Sequence, residues 1–148
     1  MLFRSATTMD EGAGPLDSQT FQQRLSDNAI TLRFKAGLDE FSGTLKTLTD
    51  TEDTAFEMLR LALTEPRFDA EPVARLKSQI KAGIRSDLEK PSTVAFDALF
   101  GGFFPGHGYA NRSDGSEASV DAISREDLHT FVKTRLARGT LNIGVVGD

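Results

Sequence analysis

His107 and His129 are the two imidazoles of the chain, and it has no cysteine. A zinc site takes three or four ligands from His, Cys, Asp and Glu, commonly with two of them one helical turn apart. The two histidines lie in different segments with no second histidine near either, so that pattern is missing. His107 sits in a Pro-Gly-His-Gly-Tyr turn, where a hydrogen-bonding or solvated ring is the plain expectation, and His129 falls on an acid-capped helix and reads as a surface residue. Without cysteine there is no disulfide, thiolate ligand or thiol nucleophile. No serine occupies a Gly-x-Ser-x-Gly elbow. Asp10-Glu11 and Asp39-Glu40 are adjacent carboxylates, but sequence neighbours need not face one another, so they make weak acid-base pairs. Gly12-Ala13-Gly14 is too short, and too acidic in front, to cradle a phosphate.

The elements that would position such residues are legible from hydrophobic period. Val73, Leu76, Ile80, Ile84 and Leu88 recur every three or four residues and predict a helix from Asp69 to Lys90, capped by Asp69 and stopped by Pro91. Arg75, Lys77, Lys81, Arg85 and Glu89 lie mostly off that stripe and read as solvated surface. Upstream, a helix-compatible segment from Leu2 to Glu11 ends at Gly12-Ala13-Gly14-Pro15, and Asp17 caps a short helix with Phe21 and Leu25 on one face. From Ala29 the period becomes two: Ile30, Leu32 and Phe34, then Phe41, Gly43 and Leu45 beyond Gly37-Leu38-Asp39, predict a hairpin. Asp50 or Thr51 caps a helix with Ala55, Phe56, Leu59, Ala62 and Leu63 on one side, ended by Pro66. Ser92 caps a helix holding Val94, Ala95, Ala98 and Leu99 that breaks at Gly101-Gly102. Ser116 starts a helical turn with Val120 and Ile123, and Ser124 with Asp127 forms a capping box for a helix carrying Leu128, Phe131, Val132 and Leu136. Leu141 to Asp148 reads as a closing strand. The class is α+β, a mostly antiparallel sheet with helices packed on one face.

The 148 residues, 39% of them hydrophobic, make one domain with a real core. Twenty-two acidic against 17 basic residues give a net charge of -5, and no Lys/Arg cluster is dense enough to track a phosphate backbone, so nucleic acid is not an expected partner. No apolar run nears the length of a membrane span, which argues against membrane insertion. Both ends look cut, because no strand precedes the opening segment and nothing follows the closing one; an unpaired sheet edge would favour dimerisation or strand exchange.

Phe104-Pro105-Gly106-His107-Gly108-Tyr109, Gly115-Ser116, Ser119-Val120, Ile123-Ser124-Arg125-Glu126-Asp127-Leu128 and Val145-Val146-Gly147-Asp148 follow one another in an order and spacing that resembles the closing third of a pitrilysin/insulinase peptidase domain. Leu63-Thr64-Glu65-Pro66-Arg67-Phe68 and Asp10-Glu11-Gly12-Ala13-Gly14 are similar to that family too, particularly to its bacterial members that pair with a zinc-bearing homologue. The resemblance covers essentially the whole chain. It implies the metallohydrolase fold of that family and, with it, the family cofactor zinc. In active members an H-x-x-E-H motif on the first helix and a glutamate on the later long helix build the metal site, the motif glutamate serving as general base. With Gly12 matched to the family's glycine turn, the motif falls on Phe3-Arg4-Ser5-Ala6-Thr7 and the later glutamate at or near Leu76, so three ligands and the base are absent together.

The resemblance therefore implies a non-catalytic domain without metal or catalytic residues, inactive alone, that helps enclose peptide substrate and pairs with an active homologous subunit. Substrate would pair in extended form with a strand around Arg33, Phe34, Lys35 and Ala36. A second reading makes the chain part of an active zinc metalloendopeptidase whose H-x-x-E-H lies elsewhere. A third is a structural scaffold subunit unrelated to proteolysis. The compartment is not readable from composition, and the resemblance alone tilts it toward the bacterial periplasm.

Overall fold

The computed structural model describes residues 6–37, 39–136 and 138–147. A 3-10 turn, Ala6–Asp10, opens the described chain where a helix from Leu2 is expected; residues 1–5 lie outside the described residues. Helix α1, Ser18–Asp27, starts at Asp17, whose carboxylate accepts from the Thr20 amide at 2.8 Å, and it buries Phe21 and Leu25. Strands β1, Thr31–Ala36, and β2, Phe41–Lys46, form the expected antiparallel hairpin, with Leu32 opposite Leu45 and Phe34 opposite Gly43. Gly43 has a structural reason: a Cβ there would stand 3.1 Å from the Phe34 ring. Phe34 stacks on Phe41, and Phe41 meets the edge of Phe131, so the hairpin's apolar face is tied to the C-terminal part of the chain.

Helix α2, Glu52–Thr64, buries Ala55, Met58, Leu61 and Ala62. The stripe is rotated from the expected one: Phe56 is 50% exposed, and Met58 takes the inward place because the 55-58-61/62 spacing follows the side facing the hairpin and α1. Helix α3, Ala70–Leu88, matches the long helix, with Asp69 as its N-cap residue. The Asp69 side chain makes no cap hydrogen bond; it accepts from Arg67 Nε at 2.7 Å instead. Helix α4 runs Pro91–Phe103, starting at Pro91 rather than capped by Ser92, and passes through Gly101-Gly102. Glycine in an exposed helix costs about 1 kcal/mol, too little to stop it; the chain turns only at Phe104-Pro105.

Helices α5, Glu117–Ala122, and α6, Arg125–Arg135, both begin with capping boxes, Ser116 with Ser119 and Ser124 with Asp127. Accepting from the Ser124 backbone and hydroxyl holds the Asp127 carboxyl below its ordinary range. Lys77 and Lys81, expected as solvated, are half-buried against α5, and Arg85, exposed as expected, also reaches it: Lys77 donates to the Ile123 and Asp121 carbonyls, Lys81 pairs with Asp121 at 2.7 Å, and Arg85 grips Glu117 at 2.5 and 2.9 Å. Ile84 and Val120 are buried beneath them. The main core joins Met9, Phe21, Leu25, Leu32, Phe34, Met58, Leu61, Phe68, Leu128 and Phe131. Helices thus lie on one face of a small antiparallel sheet, an α+β fold. Residues 141–147 form no strand and pair with no described strand, contrary to the expected closing strand: the alternation is present, and a neighbour to take its ladder hydrogen bonds is not among the described residues.

Candidate functional site

The Asp10-to-Leu16 turn is built by glycine geometry. Gly12 has φ +113°, and a Cβ on it would meet the Ser18 amide at 3.1 Å and the Leu16 carbonyl at 3.2 Å, a position open only to glycine. The turn is stitched to the α2–α3 connector, with Gly14 N–H donating to Glu65 O at 2.9 Å and Arg67 N–H to Gly12 O at 3.1 Å. This fixes the opening 3-10 turn against β1, α2 and α3.

That junction is where the resemblance puts a zinc motif. Phe3, Arg4 and Ser5 lie outside the described residues; Ala6 and Thr7 open the 3-10 turn. Leu76 is half-buried on α3. Beside it the polar groups are committed to one another: Glu11 Oε2 accepts from Ser18 Oγ at 2.6 Å and from Arg75 Nη2 at 2.7 Å, and Arg75 Nη1 holds Glu71 at 3.0 Å. An alanine, a threonine and a leucine offer no imidazole or carboxylate, so the residues present do not fit zinc. Among the described residues no group of three or more His, Cys, Asp or Glu could hold a metal ion.

Both histidines are exposed. His107 Nδ1 accepts from the Tyr109 amide at 3.2 Å, and its ring lies edge-on to Tyr109. Tyr109 in turn donates to both Asp39 oxygens at 2.6 and 2.7 Å, and that hydrogen bond, made only by the protonated phenol, holds it above its ordinary pKa. This contact spans 70 residues and had no local signal; it pins the end of α4 to the hairpin turn. His129 lies edge-on to buried Phe68 in a shallow, open groove with Arg125 and Lys133. Neither place assembles an acid, a base and a nucleophile.

Arg33 to Ala36, singled out for substrate pairing, are the last four residues of β1. They face Thr44, Gly43, Ser42 and Phe41 of β2 on one side. The outer side of β1 meets no described strand. The candidate site is therefore a strand edge that meets no described strand, beside the opening 3-10 turn.

No family model matches the chain. It is 29% identical over 126 residues to the non-peptidase homolog YmxG of Helicobacter pylori (strain ATCC 700392 / 26695), over 83% of this chain and 28% of that protein. Its fold matches the crystal structure of a peptidase M16 inactive domain from Pseudomonas fluorescens with a TM-score of 0.81 and 25% identity, over 88% of this chain and 32% of that one. A conserved protein from Enterococcus faecalis V583 shares the fold at a TM-score of 0.74 and 18% identity, over 90% of this chain and 35% of that one. The chain thus spans about a third of each relative. Sequence relative and fold agree: the chain has an M16-like fold and is similar to the inactive and non-peptidase members of the pitrilysin/insulinase peptidase family.

Proposed function

We propose that this domain binds peptide in extended form on the outer edge of β1, helps enclose it, and does so as the zinc-less counterpart of an active homologous subunit. The observation that supports this reading is a juxtaposition: an edge with no described strand partner packs beside the opening 3-10 turn, at the place where an active relative would hold its metal. Backbone N–H and C=O groups on such an edge recognise a peptide regardless of sequence, and they need no catalytic group to do so. With Glu11, Ser18 and Arg75 satisfying one another, the junction is built for packing rather than for activating water. No zinc belongs to this chain in the proposal; the metal is the partner's.

The test is metal analysis of the purified chain after dialysis against zinc, run with a peptide-cleavage assay and a peptide-binding assay. The expected result is substoichiometric zinc, no cleavage, and binding that is lost when the peptide's backbone amides are N-methylated. Stoichiometric zinc with cleavage would overturn the non-catalytic reading. Binding that survives N-methylation would overturn the strand-pairing mode. Pairing with a zinc-bearing homologue is read by co-purification from co-expression, and separate elution of the two would remove that part of the proposal.

A further inference from the structure

The hairpin has two unlike faces. Leu32 and Phe34 point into the core, while Thr31, Arg33 and Lys35 of β1 and Ser42, Thr44 and Lys46 of β2 are all exposed on the other side. The register puts Thr31 opposite Lys46, Arg33 opposite Thr44 and Lys35 opposite Ser42, so three cations and three hydroxyls share one surface with no carboxylate among them. The nearest acidic residues are in the turn, where Asp39 is held by Tyr109 and Glu40 is exposed.

This surface departs from the rest of the molecule. In a chain of net charge -5, Arg24, Arg60, Arg67, Arg75, Lys81, Arg85, Lys90 and Arg112 each meet a carboxylate, and Lys77 and Arg125 meet carbonyls. The described cationic side chains left without such a partner are Arg33, Lys35 and Lys46 on the hairpin, and Lys133 and Arg135 in the last turn of α6, where the helix dipole favours them. The hairpin cations have no such explanation. An extended peptide on the outer edge of β1 would send every second side chain over this face, with the repeat that separates Arg33 from Lys35, about 7 Å. Nucleic acid fits less well: the face carries no aromatic ring for a base to stack on, and the molecule around it is acidic.

We propose that the solvent face of the β1–β2 hairpin selects extended peptides carrying carboxylates at alternate positions, with Arg33, Lys35 and Lys46 as the selecting residues. The inference rests on the peptide-binding reading above and adds the substrate class to it. The test is fluorescence anisotropy on the whole chain with labelled peptides of one length and composition: glutamate alternating with threonine, the same residues with the glutamates contiguous, and a lysine version of the alternating peptide. A single-stranded oligonucleotide of equal charge is a fourth probe. The alternating acidic peptide is expected to bind about tenfold tighter than the other peptides, to weaken with added salt, and to lose that advantage in Arg33→Gln/Lys35→Gln/Lys46→Gln. All three side chains are exposed, and an unchanged circular dichroism spectrum checks that the variant folds. Equal binding of the lysine peptide, or of the contiguous one, would overturn this inference while leaving the proposed function standing. Equal binding of the oligonucleotide would replace it with a general polyanion surface. Binding of no peptide at all would remove both.

Discussion

Asp10 shows what the fold does to a single residue. Burial raises its carboxyl from 3.8 to about 6; a backbone hydrogen bond opposes the rise and the Glu11 charge adds to it. Below pH 3.8 the group is protonated in both folded and unfolded chains. Between there and pH 6 the folded chain holds the proton more tightly, so stability from Asp10 falls as pH rises and is gone above about pH 6. Asp17, Glu117 and Asp127 are held low and act in the opposite sense, losing stability as pH falls. Asp10→Asn isolates the first effect: denaturant melts are expected to show equal stability of variant and wild type near pH 3.5, and a more stable variant at pH 8 by about 2 kcal/mol. A constant difference across pH would contradict the assignment. The sequence shows Asp10-Glu11 as an adjacent acid pair and nothing more, because burial is a tertiary property. The reading of the junction rests on residue type alone, since neither a leucine at 76 nor an alanine at 6 has a side chain that ligates a metal.

At the scale of elements, α1 ends in a motif made with an unusual residue. Ala29 N–H donates to Ser26 O at 3.0 Å and Ile30 N–H to Leu25 O at 2.9 Å, the paired bonds of a Schellman ending, with Ala29 at φ +51°. A methyl group in that left-handed conformation costs about 1 kcal/mol, and glycine is the common occupant. Ala29 is exposed, so Ala29→Gly removes the strain without opening a cavity, and thermal melts are expected to show a gain of roughly 0.5–1 kcal/mol. A loss would mean that the entropy glycine adds to the unfolded chain outweighs the relief. Local signals of this kind made most elements readable: Asp17, Ser116 and Ser124 mark helix starts because a cap needs only its own neighbours. What failed was whatever depended on a distant partner. Lys77 and Lys81 look solvated until α5 packs against them, and the apolar alternation after Leu141 cannot say whether a neighbour exists to pair with it.

Across the whole molecule, the core ties α1, the hairpin, α2 and α6 into one body, while α5 is held to α3 by its ion pairs over Ile84 and Val120. Helix α4 belongs to neither group. It buries no residue of its own, leaving Val94 50%, Phe96 61% and Phe103 73% exposed, and its ties run to α3, to the turn at Gly108–Ala110, and through Arg112 to Asp97. A thirteen-residue helix with two glycines and no buried face has little stability of its own. The molecule should therefore breathe in two stages. In native-state hydrogen exchange, the amides of α4 are expected to exchange through a local opening that denaturant hardly changes, while those of α1 and α2 wait for global unfolding. One shared opening energy for all three helices would mean that α4 is wired into the core by contacts stronger than those it displays. If the two stages separate, α4 can detach and refold while the hairpin stays intact, and the time spent in each state becomes a property of this one arm.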